Sequence, residues 1–173
     1  MLNRTDFASD EEWWVYNWLI EAQEYNLLGE ITYQPGPFVL SERAGMTIQK
    51  QLKTKTKTVD KFLFHQHVYT PDFSFFLKGE TLEKYFKLPQ RGCVVVDVKG
   101  AFNPYGDPKQ FSINCKWMWA KYEVFVEKII PEKLFKKTFV PEICRLSPKL
   151  KKDVKKYLKT PVIADWLKEQ GGK

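Results

Sequence analysis

"HVYTPDFSFF" (His67–Phe76) and "CVVVDVKG" (Cys93–Gly100) decide how this chain is read. Both are short apolar runs rich in Val, Phe and Tyr, the residues that pleated strands favour. In the second run, strand alternation places Val94, Val96 and Val98 on one face and Val95, Asp97 and Lys99 on the other. The valine run reads as a central strand covered on both sides, so two opposite charges on it need a physical reason. In the first run, Asp72 follows Pro71 and precedes Phe73, which puts a carboxyl inside or at the head of a strand. Two carboxylates about 4 Å apart repel by on the order of 4 kcal/mol at an effective dielectric near 20. A shared proton or a cation offsets that repulsion. Mg²⁺ prefers oxygen ligands, using one or two carboxylates plus water and phosphate. A lysine beside them stabilises charge on a phosphate oxygen. Asp72, Asp97 and Lys99 therefore suit metal-assisted hydrolysis of a phosphodiester.

Upstream, Ser9 followed by Glu12 resembles a capping box, and Trp14, Trp18 and Tyr25 recur at helical spacing. The spacing predicts a helix over about Asp10–Leu28, with Gly29 as its stop. Glu30–Leu40 reads as extended, broken by Pro35-Gly36-Pro37. Ser41–Thr58 is polar and ends in an alternating Lys/Thr run that suits an exposed strand or a mobile loop. Phe62–Leu77 reads as strand, and Lys78–Gly92 as an insertion with a short helix at Leu82–Leu88. After Cys93–Lys99 come a loop, "AFNPYGDPKQ", and a helix over Gln110–Ala120 with Phe111, Cys115, Met118 and Trp119 on its apolar side. A strand over Tyr122–Ile130 follows, then a possible helical piece at Pro131–Phe135 and a basic tail forming two helices split at Pro161. The order predicts an α/β domain, a mixed central sheet flanked by helices, over residues 1–145. Residues 146–173 form a basic helical extension packed on it or continuous with it. The helix after Gly100 is placed to return the chain for a neighbouring strand.

Composition bounds the partners. The 173 residues carry a formal net charge of +7, which favours polyanions, nucleic acid above all. No apolar run is long enough to span a bilayer, and Met1–Asp10 lacks the order of a signal peptide. Cys93, Cys115 and Cys144 are widely spaced and odd in number, which suits thiols in a reducing cytoplasm.

The combination "YTPDF", a gap, then "VVVDVKG" resembles the signature of the PD-(D/E)xK nuclease superfamily: an acid on one strand, then acid-x-lysine on the next. "FASDEEWWVYNWLIEAQEYNLLGEITYQPGPFVL" (Phe7–Leu40) is similar to the N-terminal part of small phage nucleases of that superfamily, matching at Ser9, Glu12, Gly29-Glu30-Ile31 and Gln34. "HVYTPDF" is similar to a stretch in phage junction-resolving endonucleases. The resemblance covers about Phe7–Val126. The insertion Lys78–Gly92 departs from many members. What it implies is a restriction-endonuclease-like core and an Mg²⁺-dependent endodeoxyribonuclease, with Mn²⁺ able to substitute. Asp72 and Asp97 would be metal ligands, joined by Glu12 from the first helix, and Lys99 would act beside them. Products would carry 5′-phosphate and 3′-hydroxyl ends. A phage origin, action in the host cytoplasm, branched DNA as substrate and a homodimer are further implications.

Each residue has a plainer reading. Asp72 could start a turn after Pro71, and Asp97–Lys99 could be a surface ion pair on an edge strand. Glu12 could serve only as a helix cap, leaving Glu11 and Glu21 as fallback acids. His65 and His67 would share a strand face but are too few for a zinc site. Trp13, Trp14, Trp18, Trp117 and Trp119 read as core. Lys53, Lys55 and Lys57, within the run Lys50–Lys61, read as contacts to a DNA backbone, with a solvated loop as the alternative. Lys109 and Lys116, on the helix after the motif, are candidates to face the scissile phosphate. Lysines 149, 151, 152, 155, 156 and 159 extend that footprint or only solubilise the tail. Two other functions fit the sequence: a non-catalytic DNA-binding or packaging protein, and an RNA-directed nuclease.

Overall fold

The computed structural model describes residues 2–87, 92–100, 108–146 and 159–171. The expected loop at 101–107, the end of the insertion at 88–91 and the first tail helix, with lysines 149, 151, 152, 155 and 156, lie outside the described residues.

Helix α1 spans Asp10–Glu24, and Ser9 caps it by accepting a hydrogen bond from the Glu12 amide at 3.1 Å. It ends four residues before the expected Leu28. Asn26 takes φ +59°, and the Asn26 and Leu27 amides donate back to the Gln23 and Ala22 carbonyls. That is a Schellman closure with asparagine in the left-handed position, so the expected stop at Gly29 is corrected to Asn26. Gly29 instead belongs to strand β1, Leu28–Tyr33.

The main sheet contains β1, β6 (Phe73–Leu77), β7 (Cys93–Val98) and β8 (Val126–Ile129), in that order. β1–β6 and β6–β7 are antiparallel, and β7–β8 is parallel. Helix α2, Pro108–Tyr122, makes the crossover between the two parallel strands. The chain is therefore mixed α/β, built on a mixed sheet with helices.

Two side ribbons complete the strands. β2 (Phe38–Ser41) pairs with β5 (His67–Tyr69), and β3 (Ala44–Gln51) pairs with β4 (Thr56–Phe64). His67–Phe76 is thus two strands in different sheets, divided at Thr70–Asp72, and Phe62–Phe64 belongs to β4. Pro71 has no amide to continue a ladder, which is a physical reason for the break. The Lys/Thr run lies in the β3–β4 hairpin, Lys53–Lys55 in its turn and Thr56–Thr58 in β4. The expected helix at Leu82–Leu88 reduces to a 3₁₀ turn at Glu83–Tyr85, and the strand predicted from Tyr122 begins only at Val126, because α2 runs on to Tyr122.

The alternation in β7 sorts the layers. Val94, Val96 and Val98 pack on the α1 side with Trp18, Leu19, Phe73 and Phe75. Val95 meets Met118, Leu40, Tyr69 and Val126 on the α2 side. Trp18 is fully buried, and its indole N–H donates to Thr138 Oγ1 at 3.1 Å, which satisfies the one polar atom that burial would strand. The expected core tryptophans divide: Trp117 and Trp119 on α2 are 42% and 52% exposed. The buried positions of that helix are Asn114 and Met118, with Phe111 and Cys115 packed beside them, so Trp119 falls on the flank of the stripe. Helices α3 (Pro131–Lys137), α4 (Glu142–Leu146) and α5 (Ile163–Gly171) follow. Ile163 and Trp166 of α5 enter the same core as α1.

Candidate active site

Asp97 is 4% exposed although it is an acid on a valine strand. Its Oδ2 accepts a 2.6 Å hydrogen bond from the Tyr69 hydroxyl. Its Oδ1 is buried, accepts no hydrogen bond from the described residues, and faces the Lys99 ammonium in an ion pair. Alternation explains the pairing, since Lys99 lies two residues on and returns to the same face. The Lys99 amide donates to the Ile129 carbonyl at 2.8 Å, which fixes the backbone below the side chain.

Asp72 sits where the β6–β7 ladder runs out. Its amide donates to the Val96 carbonyl at 3.0 Å, and its Oδ2 accepts from the Val98 amide at 2.6 Å. The Asp72 carboxyl is pushed up to about 7, first by burial and then by the charge of Asp97. Glu12 adds a smaller repulsion, while the Val98 amide and Lys99 act in the opposite sense. The three residues predicted to meet do meet, and neither a free turn nor a solvated surface pair describes them.

Glu12 takes part in the helix cap and also lies near Asp72. Its amide is capped by Ser9 Oγ, and the Ser9 hydroxyl in turn donates to Glu12 Oε1 at 2.9 Å. The other carboxylate oxygen, Oε2, accepts from the Tyr33 hydroxyl at 3.2 Å, which ties the head of α1 to the end of β1. A reciprocal capping box would fold that carboxylate onto the Ser9 amide. Bonding to the hydroxyl instead leaves Glu12 close enough to raise Asp72. Tyr33 is pushed up to about 12 by burial, with Glu12 and Asp72 adding to it. Of the fallback acids, Glu11 reaches the same end of β7: a Cβ at Gly100 would lie 3.4 Å from its Oε1. Glu21 lies elsewhere, accepting from the Glu142 amide at 2.7 Å.

Of the remaining expected residues, the five lysines are all exposed. Lys116 is exposed and stands about 160° round α2 from buried Met118, at roughly 100° per residue. That is the outward face of the helix, away from the sheet that carries Asp97. Lys109 is exposed in the first turn of α2, and Lys53, Lys55 and Lys57 are exposed at the far end of the β3–β4 hairpin. His65 and His67 do not form a pair on one face. His65 lies against Phe62 with tilted rings, centroids 4.5 Å apart, whereas His67 Nε2 bonds Asn114 Oδ1 at 3.0 Å.

Sequence reasoning missed Tyr69, Tyr33, Asn114 and Cys115. Tyr69 stands three residues before Asp72 and two after His67, so the β-alternation of "HVY" was the available signal. Its hydroxyl is pushed far above the usual tyrosine range by burial and by Asp97, so it remains a donor to that carboxylate. Cys115 is pushed up to about 11 by burial and then Asp97, offset by Lys99, which places α2 against the site. Lys128 on β8 occupies the register position beside Asp97 and is exposed.

Two carboxyls brought together by burial, each raising the other's cost of ionising, match the donor chemistry of a hard divalent cation. Asp72 and Asp97 are the residues that fit it. Among the described residues, no group of three or more His, Cys, Asp or Glu side chains is arranged to hold a metal ion. The fit is therefore to a cation that keeps water or phosphate oxygens for its remaining positions, as Mg²⁺ does.

No protein-family model, curated protein or solved structure matches the chain. No helix among the described residues is long and apolar enough to cross a membrane.

Proposed function

We propose that the chain is a divalent-metal-dependent endonuclease that hydrolyses DNA phosphodiesters from a restriction-endonuclease-like core. The observation that carries this reading is the buried Asp97 carboxylate, with Lys99 against one oxygen, standing beside an Asp72 whose carboxyl burial, and then the charge of Asp97, pushes up. Asp72 and Asp97 would hold Mg²⁺ or Mn²⁺, with Glu12 near enough to contribute through water. Bound there, the cation would polarise a phosphoryl oxygen and lower the pKa of its water.

The protein's own groups do the positioning. Tyr69 fixes Asp97 through Oδ2, which leaves Oδ1 turned toward Lys99. The Val98 amide holds one oxygen of Asp72, so the carboxyl cannot swing away from the end of β7. The Lys99 side chain is 38% exposed and so reaches both Asp97 and an incoming phosphate. Its charge stabilises the anionic oxygen that develops during attack. Ser9 and Tyr33 hold Glu12 at the rim. A net charge of +7 supports DNA as the polyanion. A branched or four-way junction as preferred DNA, a homodimer making paired cuts, and a phage protein acting in the host cytoplasm are parts of this reading carried by sequence resemblance.

The test is cleavage of matched linear, nicked, single-stranded and four-way DNA with Mg²⁺, comparing the wild type with Asp97→Ala. Loss of cutting in the variant, with metal-free DNA binding retained, is the expected result. Equal cutting by both proteins removes the assignment. A second reading, a non-catalytic DNA-binding protein, draws on the lack of a three-carboxylate set among the described residues. It prevails if the wild type binds DNA but cuts no form of it at any Mg²⁺ or Mn²⁺ concentration.

A further inference from the structure

The β3–β4 hairpin carries a charge pattern that the site does not use. Residues 44–64 hold five lysines, Lys50, Lys53, Lys55, Lys57 and Lys61, against one acid, Asp60, so this segment supplies four of the chain's seven net positive charges. Asp60 is engaged locally, accepting from Thr47 Oγ1 at 2.8 Å. No residue of either strand is buried.

The register separates two faces. Lys50 opposes Lys57, Ile48 opposes Val59, and Met46 opposes Lys61. The other face pairs Gln51 with Thr56, Gln49 with Thr58, and Thr47 with Asp60. One side of the ribbon is therefore lysine and aliphatic, and the other is hydroxyl, amide and a single acid. Like charges directly opposite weaken a strand pair, and a lone two-stranded hairpin is marginal in water. The lysine face is thus a poor arrangement for the free protein and a good one against a polyanion. A second copy of the arm would bring the same positive face to itself, so self-association is disfavoured. A duplex suits the face, because it presents one phosphate charge per about 1.7 Å of its axis to a row of lysines.

The arm is also joined directly to the site. β4 and β5 are separated by His65 and Gln66, and the Gln66 amide nitrogen donates to Glu42 Oε2 at 3.0 Å across the root. β5 then delivers Tyr69 to Asp97. Lys61 lies eight residues before Tyr69, within about 28 Å along an extended chain.

We infer that the face formed by Met46, Ile48, Lys50, Lys57, Val59 and Lys61 docks on the sugar-phosphate backbone of duplex DNA and holds the duplex while the strand to be cut lies at Asp72 and Asp97. This deepens the nuclease reading and rests on it. The contacts go to phosphates, so they position the duplex without reading its sequence.

The experiment measures anisotropy of a labelled duplex of about 24 base pairs, in EDTA, between roughly 50 and 200 mM salt. Wild type is compared with the triple variant Lys50→Gln, Lys57→Gln, Lys61→Gln and with the opposite-face variant Gln49→Ala, Thr58→Ala. The triple variant is expected to bind at least about tenfold more weakly and to flatten the slope of log K against log salt by about 2.7, at roughly 0.9 per phosphate lost. The single Lys57→Gln change is expected to flatten it by about 0.9, and the opposite-face variant to bind within about twofold of wild type. Near-ultraviolet circular dichroism confirms that each variant is folded. An unchanged slope in the triple variant overturns the inference, as does a loss carried by the opposite face. A change in oligomeric state on sedimentation, without a change in DNA affinity, assigns the face to a second copy and overturns it too. Tighter binding of RNA than of duplex DNA by the wild type has the same effect. Cleavage is measured separately with Mg²⁺. No cutting by wild type, with the triple variant still impaired in binding, removes the nuclease reading and leaves the arm. Full cutting with unimpaired binding by the triple variant does the reverse.

Discussion

Two antiparallel strand pairs in this molecule obey the same pairing rules and end with opposite properties. In β6–β7, Phe73, Phe75 and Val96 are fully buried between α1 and the rest of the core. In β3–β4, more strand residues pair, yet none is buried. The difference comes from what covers the sheet and not from the ladder. The covered pair has a dry enough edge to trap Asp97 and to hold Asp72 near pH 7, so its charges interact strongly. The uncovered pair keeps its lysines in water, where each acts as a separate, screened point charge.

That contrast can be tested at four places. Lys99→Ala removes a cation in contact with a buried carboxylate, and on the proposed function cutting should fall by at least about a thousandfold, near 4 kcal/mol, while DNA affinity holds. A matching loss of affinity would move Lys99 from the reaction to simple binding. Phe75→Ala should cost roughly 3–5 kcal/mol in urea denaturation, because the ring is fully buried against Phe86 and the α1 core. A cost under about 1 kcal/mol would mean that the covered pair is not the stability centre.

Glu21 gives a pH-dependent case in the covered region. Its carboxyl is pushed up to about 7, chiefly by burial, above its ordinary value of 4.5. The unfolded chain therefore loses this proton first as pH rises, and stability falls between those two values and then levels off. Glu21→Gln should abolish that decline and gain about 1 kcal/mol near pH 8, a figure reduced for the group's partial exposure. Parallel stability–pH curves for variant and wild type would contradict it. The smallest effect belongs to the uncovered pair: Ile48→Ala should change global stability by no more than about 0.5 kcal/mol. A larger loss would show that the hairpin is packed against something in solution.

The covered pair was also the more legible one. Val94–Val98 betrayed its strand as a near-continuous apolar run, as burial on both sides requires, and the period of two gave its facing. Asp97 and Lys99 were visible as violations of that pattern. The hairpin was not legible: with no buried side, Lys/Thr alternation fits a strand or a loop equally, and only the Ala44–Gln51 register resolves it. Tyr69 escaped notice because its role depends on β5 leaving the main sheet, a tertiary event with no local mark beyond Pro71. The end of α1 was misjudged because asparagine, not glycine, takes the left-handed position. Lys116 was chosen from resemblance and not from the helix period, and the polar inward member of α2 is Asn114, bonded to His67.

The root of the hairpin has a consequence for how such a chain can vary. If Ala44–Phe64 were excised, Ser41 and His67, already register partners, would be linked by Glu42, Arg43, His65 and Gln66. Four residues is an ordinary length for a β-hairpin connection. Changing the length of the segment between β1 and β6 twofold alters closure entropy by only about 0.6 kcal/mol. The arm is thus a removable cassette plugged into a standard socket, and it can be swapped, lengthened or trimmed while the acids stay where they are.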